Sequence, residues 1–238
     1  MINYTPYILK EIKKVNQKRI LDVLDVGCGI GQYFPYLKGS ITGIDFDIKN
    51  VRRARKSFPN AKVIHHDLSK LPLPVDKKYD LVICLELIEH IKKKDALRLI
   101  KELEKITKGY LLISTPNINN FTSFVRYILF RQLEIAGHPN TVEKVLHYIK
   151  YRSFPPKHNK YYVMEPGSDN QIANKNLHFH ISNFNSTEFK SKGYKVVGGL
   201  GQVNYEMIKN KKLRKFVESV FYHFPYFSGS FLAIKKLK

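Results

Sequence analysis

Val23-Leu24-Asp25-Val26-Gly27-Cys28-Gly29-Ile30-Gly31 is the stretch from which the rest of the chain is read. The residues from Arg19 to Val26 make a short apolar run with the make-up of a strand, and it feeds directly into the glycines. Glycine tolerates the backbone angles of a sharp turn and lets a ligand approach the main chain closely. The spacing Gly27-x-Gly29-x-Gly31 is not the GxGxxG of dinucleotide folds. Asp25 is read as part of the loop, where a carboxylate repels a pyrophosphate but suits an ammonium group. Gln32 to Leu37 is predicted to open a helix, whose first N–H groups would be offered to a carboxylate or phosphate.

Outward from the glycines, the pattern alternates. Tyr4 to Asn16 reads as a polar-faced helix ahead of the first strand. Ser40 to Ile44 is a strand ending in Asp45, and Ile48 to Phe58 is a basic helix stopped by Pro59-Asn60. Lys62 to His65 is a third strand, followed by Asp67, with Leu71-Pro72-Leu73-Pro74 as a loop. The unbroken apolar run Leu81 to Leu85 marks a buried strand. Ala96 to Ile106 is a helix with Leu97, Ile100, Leu103 and Ile106 apolar, and Gly109 to Ser114 is a fifth strand stopped by Pro116-Asn117. Strands alternating with helices through short loops predict a parallel, doubly wound sheet.

Asn117 to Leu177 breaks this alternation. Phe121, Phe124, Val125, Ile128 and Leu129 share one helical face, and Val142, Val145, Leu146 and Ile149 repeat the spacing. Lys195 to Val197 and Ser230 to Lys235 complete the strands, with a helix from Met207 to Phe221 between them. The expected architecture is α/β, a Rossmann-like doubly wound seven-stranded sheet with a helical lid inserted after the fifth strand. Residues 1–116 would form the cofactor-binding core, 117–177 the lid and 178–238 the C-terminal part of the sheet.

A chain of 238 residues, 43% hydrophobic, can fill one sizeable core. No apolar run approaches the roughly 20 residues that span a bilayer, and Met1 to Lys18 lacks the apolar stretch of a signal peptide. The expectation is therefore a cytoplasmic protein. Cys28 and Cys84 form no CxxC pair and are read as small buried hydrophobes. The net charge of +21 fits a polyanion, a membrane surface or an anionic substrate, yet the lysines are dispersed along the chain.

Asp45 closes the second strand, where an acid accepts hydrogen bonds from ribose hydroxyls. Asp67 follows the third, where a carboxylate can accept from an adenine amino group. With these acids in place, Val23–Gly31 resembles the first motif of the class I S-adenosylmethionine-dependent methyltransferases. Gly43-Ile44-Asp45 is similar to their second, and His66-Asp67-Leu68 with Tyr79–His90 to the third and fourth; Ser114-Thr115-Pro116-Asn117 continues the match. The resemblance implies S-adenosyl-L-methionine as cofactor. Asp25 and the Gly27–Gly31 backbone, with Cys28, Gly29 and Gly31, would hold its methionine part. Asp45 would take the ribose, Asp67 and Leu68 the adenine, and Phe46 and Leu85 would complete the site. Glu86 would lie near the methyl group.

Glu86-x-x-Glu89-His90 reads either as a plain helix start, with acids near the positive end of the dipole, or as catalytic machinery. In the second reading Glu86 and His90 act together with His180 from the segment Asn176–His180. Glu86, Glu89, His90 and His180 could alternatively ligate a hard metal. Small-RNA 2′-O-methyltransferases resemble this set, and so do ubiquinone-biosynthesis-type O-methyltransferases. No Asn/Asp-Pro-Pro-Tyr string follows the fourth strand, which argues against amino-group methylation of DNA bases. The favoured expectation is O-methylation of a small-molecule, lipid or glycan acceptor. RNA 2′-O-methylation is the second reading, and a non-catalytic cofactor-binding module the third. An apolar face flanked by arginines, Phe121–Arg131, suggests peripheral membrane association without a transmembrane segment.

Overall fold

Seven strands make one sheet in the order β3-β2-β1-β4-β5-β7-β6. They are β1 (Asp22–Val26), β2 (Ser40–Asp45), β3 (Lys62–His65), β4 (Tyr79–Leu85), β5 (Thr107–Pro116), β6 (Lys195–Gly199) and β7 (Ser230–Lys236). All pair in parallel except β7, which runs antiparallel to both neighbours. The described α-helices are α1 (Pro6–Asn16), α2 (Ile48–Ser57), α3 (Lys93–Ile106), α4 (Ser186–Ser191) and α5 (Lys211–His223). This computed structural model describes residues 6–17, 22–117, 182–200 and 210–237. Among them, no helix is long and apolar enough to cross a membrane.

Strand alternation sorts the core into two layers. Leu24, Val26, Val82, Cys84, Leu111 and Ile113 face α3 and α4, where they meet Leu99, Leu103 and Phe189. Val23, Leu81, Ile83 and Leu112 face the other way, toward Ile8 and Ile12 of α1 and Val51 and Ala54 of α2. Burying each such aliphatic side chain contributes about 1.5–3 kcal/mol. Both faces are covered, which is why β4 needed an unbroken apolar run. Asp25 shares the parity of Val23 and therefore looks into the α1–α2 layer.

The structure departs from the sequence reading in three places. Asp25 belongs to β1, opposite Gly43 of β2 and Ile83 of β4, and the loop begins only after it. No α-helix follows the glycines. A single 3₁₀ turn, Phe34–Tyr36, carries Pro35 and buries Phe34, because proline withholds the N–H that a longer helix would require. The helix expected from Met207 starts at Lys211, where the Asn210 side chain accepts from the N–H groups of Lys212 and Leu213. The segment from Ser182 to Lys192 holds the six residues of α4. The expected lid falls outside the described residues.

Two anchors mark where the chain leaves and rejoins the sheet. Asn117 bridges to Phe184, and its amide donates to the carbonyls of Pro225, Tyr226 and Ser228 at 3.0, 2.9 and 3.1 Å. Ser182 donates its N–H to Glu89 O at 3.1 Å and its hydroxyl to Ile88 O at 2.9 Å.

Candidate functional site

The C-terminal ends of β1, β2 and β4 bring the predicted acids to one edge of the sheet. Gly27, Gly29 and Gly31 all have positive φ, so the turn depends on residues without a Cβ. The loop's amides are largely spent on its own shape. Gly27 and Cys28 donate to Ile44 O at 2.8 and 3.0 Å, Gly31 to Cys28 O at 2.9 Å, and Gly29 to Asp45 Oδ2 at 2.8 Å. The anion cradle expected at a helix N-terminus is therefore not built here.

What the loop presents instead is a buried carboxylate. Asp25 is 1% exposed, and its Oδ2 has no hydrogen-bond partner. Burial, with a smaller contribution from the Asp45 charge, pushes its pKa up to about 8. An orphaned acid of this kind fits a positively charged ligand group. Cys28 beside it is also buried, and burial together with the Asp25 and Asp45 charges raises its thiol pKa. Cys28 is thus a protonated packing residue.

Room at the loop is uneven. A Cβ on Gly31 would stand 2.8 Å from Phe34 and 2.9 Å from Phe58, whereas one on Gly29 would meet nothing within 4 Å. Gly31→Ala is accordingly expected to cost about 2–3 kcal/mol of stability in urea unfolding. Gly29→Ala should cost only about 1 kcal/mol, while its methyl group obstructs whatever ligand enters the open side.

Asp45 is buried, and its two oxygens accept from Gly29 N–H and Asp47 N–H. It thereby ties the end of β2 to the glycine loop, with lone pairs left for further donors. Phe46 and Ile48 after it, with Ile30 of the loop, are 42%, 37% and 48% exposed. They are exposed apolar side chains on the segments that follow β1 and β2. His65 bonds the carbonyl of Phe46 at 2.8 Å and fixes that corner. Asp67 sits half-exposed in a turn of its own, accepting from the Ser69 hydroxyl and N–H, and these donors lower its pKa. Leu68 and Leu85 are buried in the core.

Past β4 the backbone turns through Glu86 at φ 53, a left-handed conformation that costs a non-glycine residue about 1–2 kcal/mol. The half-buried Glu86 is held from β5, where the Ser114 hydroxyl donates to its Oε1 at 2.8 Å. Glu89 is 2% exposed. Its Oε2 accepts from Thr115 at 3.0 Å, and its Oε1 is unpartnered, 3.8 Å from His90 Nε2. Burial raises the pKa of both carboxyls, and the Glu86 charge raises that of Glu89 further. A charge on one of these two acids disfavours ionisation of the other.

The sequence reading set Asp25, Asp45 and Asp67 along one edge of the crevice, with Glu86 near the methyl group; Asp25 and Asp45 lie at the ends of β1 and β2, Asp67 follows β3 in its own turn, and Glu86, Glu89 and His90 follow β4. His180 lies outside the described residues. Among the described residues no three His, Cys, Asp or Glu side chains form a metal-ligand cluster. Ser114 and Thr115, which the sequence reading names only as part of the family match, hold Glu86 and Glu89. The signal was available as two adjacent hydroxyls ending an apolar strand. Tyr7 of α1 stands against the ends of β6 and β7. It is 2% exposed and 2.7 Å from Ser230 Oγ, and burial and the nearby Glu86 charge raise its pKa.

Comparison with known proteins matches residues 23–109 to the methyltransferase-domain family. A probable S-adenosylmethionine-dependent methyltransferase of Mycobacterium tuberculosis is 32% identical over 106 residues, covering 42% of this chain and 38% of the relative. A ubiquinone biosynthesis O-methyltransferase of Rickettsia bellii is 38% identical over 119 residues, covering 47% of this chain and 49% of the relative. The chain thus spans half or less of the length of these curated relatives. A crystal structure of magnesium protoporphyrin IX methyltransferase from Synechocystis PCC 6803 aligns over 97% of this chain and 84% of that one. Its TM-score is 0.50 at 15% identity, a likeness of fold alone.

Proposed function

We propose that this chain, whose core carries a methyltransferase domain of the class I S-adenosylmethionine-dependent superfamily, methylates an oxygen of a small-molecule, lipid or glycan acceptor. The observation that carries the oxygen acceptor is the Glu86–Glu89 pair. It is a proton-accepting device at the end of β4, held by Ser114 and Thr115. The name of the Rickettsia relative, an O-methyltransferase, supports the same reading.

The donor fits the residues present. The unpartnered Asp25 carboxylate would receive the ammonium of its methionine part, and the open side of Gly29 leaves room for it. Asp45 has acceptor capacity left for ribose hydroxyls, and the exposed Phe46 offers an apolar face. S-adenosylmethionine, when bound, supplies an electrophilic methyl group. This chain's own part is then alignment and proton handling. Ser114 pins Glu86 Oε1, leaving Oε2 to take the proton of the acceptor hydroxyl as its oxygen gains the methyl group. Glu89 keeps a proton and spares the pocket a second negative charge. The exposed apolar side chains of Ile30, Phe46 and Ile48 favour an uncharged acceptor over a phosphate backbone.

Titration calorimetry with S-adenosylmethionine tests the donor. Binding is expected, weakened about tenfold or more by Asp45→Ala, which removes the tie to Gly29 as well as the ribose acceptor. The absence of any binding heat would sink the proposal. For the acceptor, radiolabelled methyl transfer to hydroxyl-bearing lipid and glycan extracts should exceed transfer to RNA.

A further inference from the structure

Helix α5 carries an apolar stripe that the sheet leaves uncovered. Phe221 alone of its residues is buried, whereas Leu213, Phe216 and Val220 are 52%, 66% and 39% exposed, and the capping Phe224 is 62% exposed. Steps of three, four and four residues set them along one side of the helix. The same helix is strongly basic. Lys211, Lys212, Arg214 and Lys215 fill its first turns, and Glu218 is its one acid. Topology then fixes where this helix stands. Gly199 at the end of β6 pairs with Ser230, which also pairs with Pro116 at the end of β5. The segment bearing α5 therefore leaves and rejoins the sheet at the end that holds Asp25 and Glu86.

We propose that α5 is an interfacial helix that seats this end of the domain on an anionic lipid bilayer. Leu213, Phe216, Val220 and Phe224 enter the acyl boundary while the lysines meet lipid phosphates, the division of labour of membrane-surface helices. Leu213 and Val220 have no face on which a base could stack, so RNA matches the stripe less well. A second copy would bring one basic helix against another. Resting on the methyl-transfer reading, the placement also narrows the acceptor class to molecules dissolved in the membrane.

Co-sedimentation of the whole chain with vesicles tests this. Phosphatidylcholine vesicles containing phosphatidylglycerol should pellet the protein, and pure phosphatidylcholine vesicles should not. Phe216→Glu should lower the partition coefficient about tenfold or more. The pair Lys211→Glu with Lys212→Glu, which leaves the stripe intact, should lower it about tenfold as well. These side chains are exposed, so thermal unfolding should match that of the parent chain. No pelleting of the parent, or equal pelleting of Phe216→Glu, overturns the proposal. So does a dimer, or binding of a single-stranded oligoribonucleotide, that Phe216→Glu abolishes while vesicles bind neither form. Calorimetry with S-adenosylmethionine on the same samples separates the two ideas. Normal cofactor binding without vesicle binding refutes the membrane seat alone, and the converse refutes the methyl-transfer reading alone.

Discussion

Asp25→Asn should weaken S-adenosylmethionine binding at least about 100-fold while making the ligand-free protein more stable at alkaline pH. Loss of one partner from a buried charge pair commonly has an effect of this size. The stability gain follows from burial. Asp25 moves from an ordinary 3.8 to about 8 on folding, so between those values the folded state holds a proton that the unfolded state has released. Stability of the parent chain therefore falls as pH rises from about 4 to about 8, and levels off above. Asparagine carries no such burden, so the melting temperature of the variant should pull ahead across that window. The same logic applies to the ligand. An ammonium group demands the carboxylate form, so binding near pH 7 should release a proton, and affinity should rise toward pH 8. Calorimetry in buffers of different ionisation enthalpy reads the proton directly. A pH-independent affinity with no proton released would remove Asp25 from the site.

Glu86→Gln is the second large effect. Turnover should fall about 10²- to 10⁴-fold, the usual contribution of a positioned base, while the dissociation constant for S-adenosylmethionine stays within about threefold. Glutamine still accepts from Ser114, so the turn at φ 53 should survive. In the parent chain the rate should climb with pH along a limb set by Glu86 losing its proton. Burial raises that pKa, so the limb lies above the ordinary carboxylate range, and the variant should lack it. Ser114→Ala should move the limb higher still, because the serine hydroxyl favours the ionised form. Parent-like turnover in Glu86→Gln would end the general-base role.

The strands could be read from the sequence because their cause is local. The continuous run in β4, the acid that ends β2 and the Asp67 that follows β3 each carry their own evidence. Asp25 was legible as an acid that suits a cation, but its place in β1 was not. That place is set by pairing with Gly43 of β2 and Ile83 of β4, and register is a property of two strands. The turn after the glycines was misjudged as a helix because Phe34 is held by its edge-on contact with Phe58 and Pro35 withholds an N–H, neither of which periodicity shows. The roles of Ser114 and Thr115 escaped for the same reason as the place of Asp25. Their importance appears only once β5 lies beside β4 and brings two hydroxyls to two carboxyls.

The anchors at Asn117 and Ser182 have a consequence for how such a protein can change. Both hold to the corner occupied by Glu89, Phe184 and the Pro225–Ser228 turn, so everything between them departs from and returns to one place. When the ends of an excursion are already pinned together, doubling its length adds only about 0.6 kcal/mol of closure entropy. The sheet is therefore nearly indifferent to what is spliced in at that point, while the donor site on β1 and β2 stays untouched. A change in the length of that excursion is therefore expected to leave S-adenosylmethionine binding at the proposed donor site as it was, which calorimetry on shortened and lengthened variants would read.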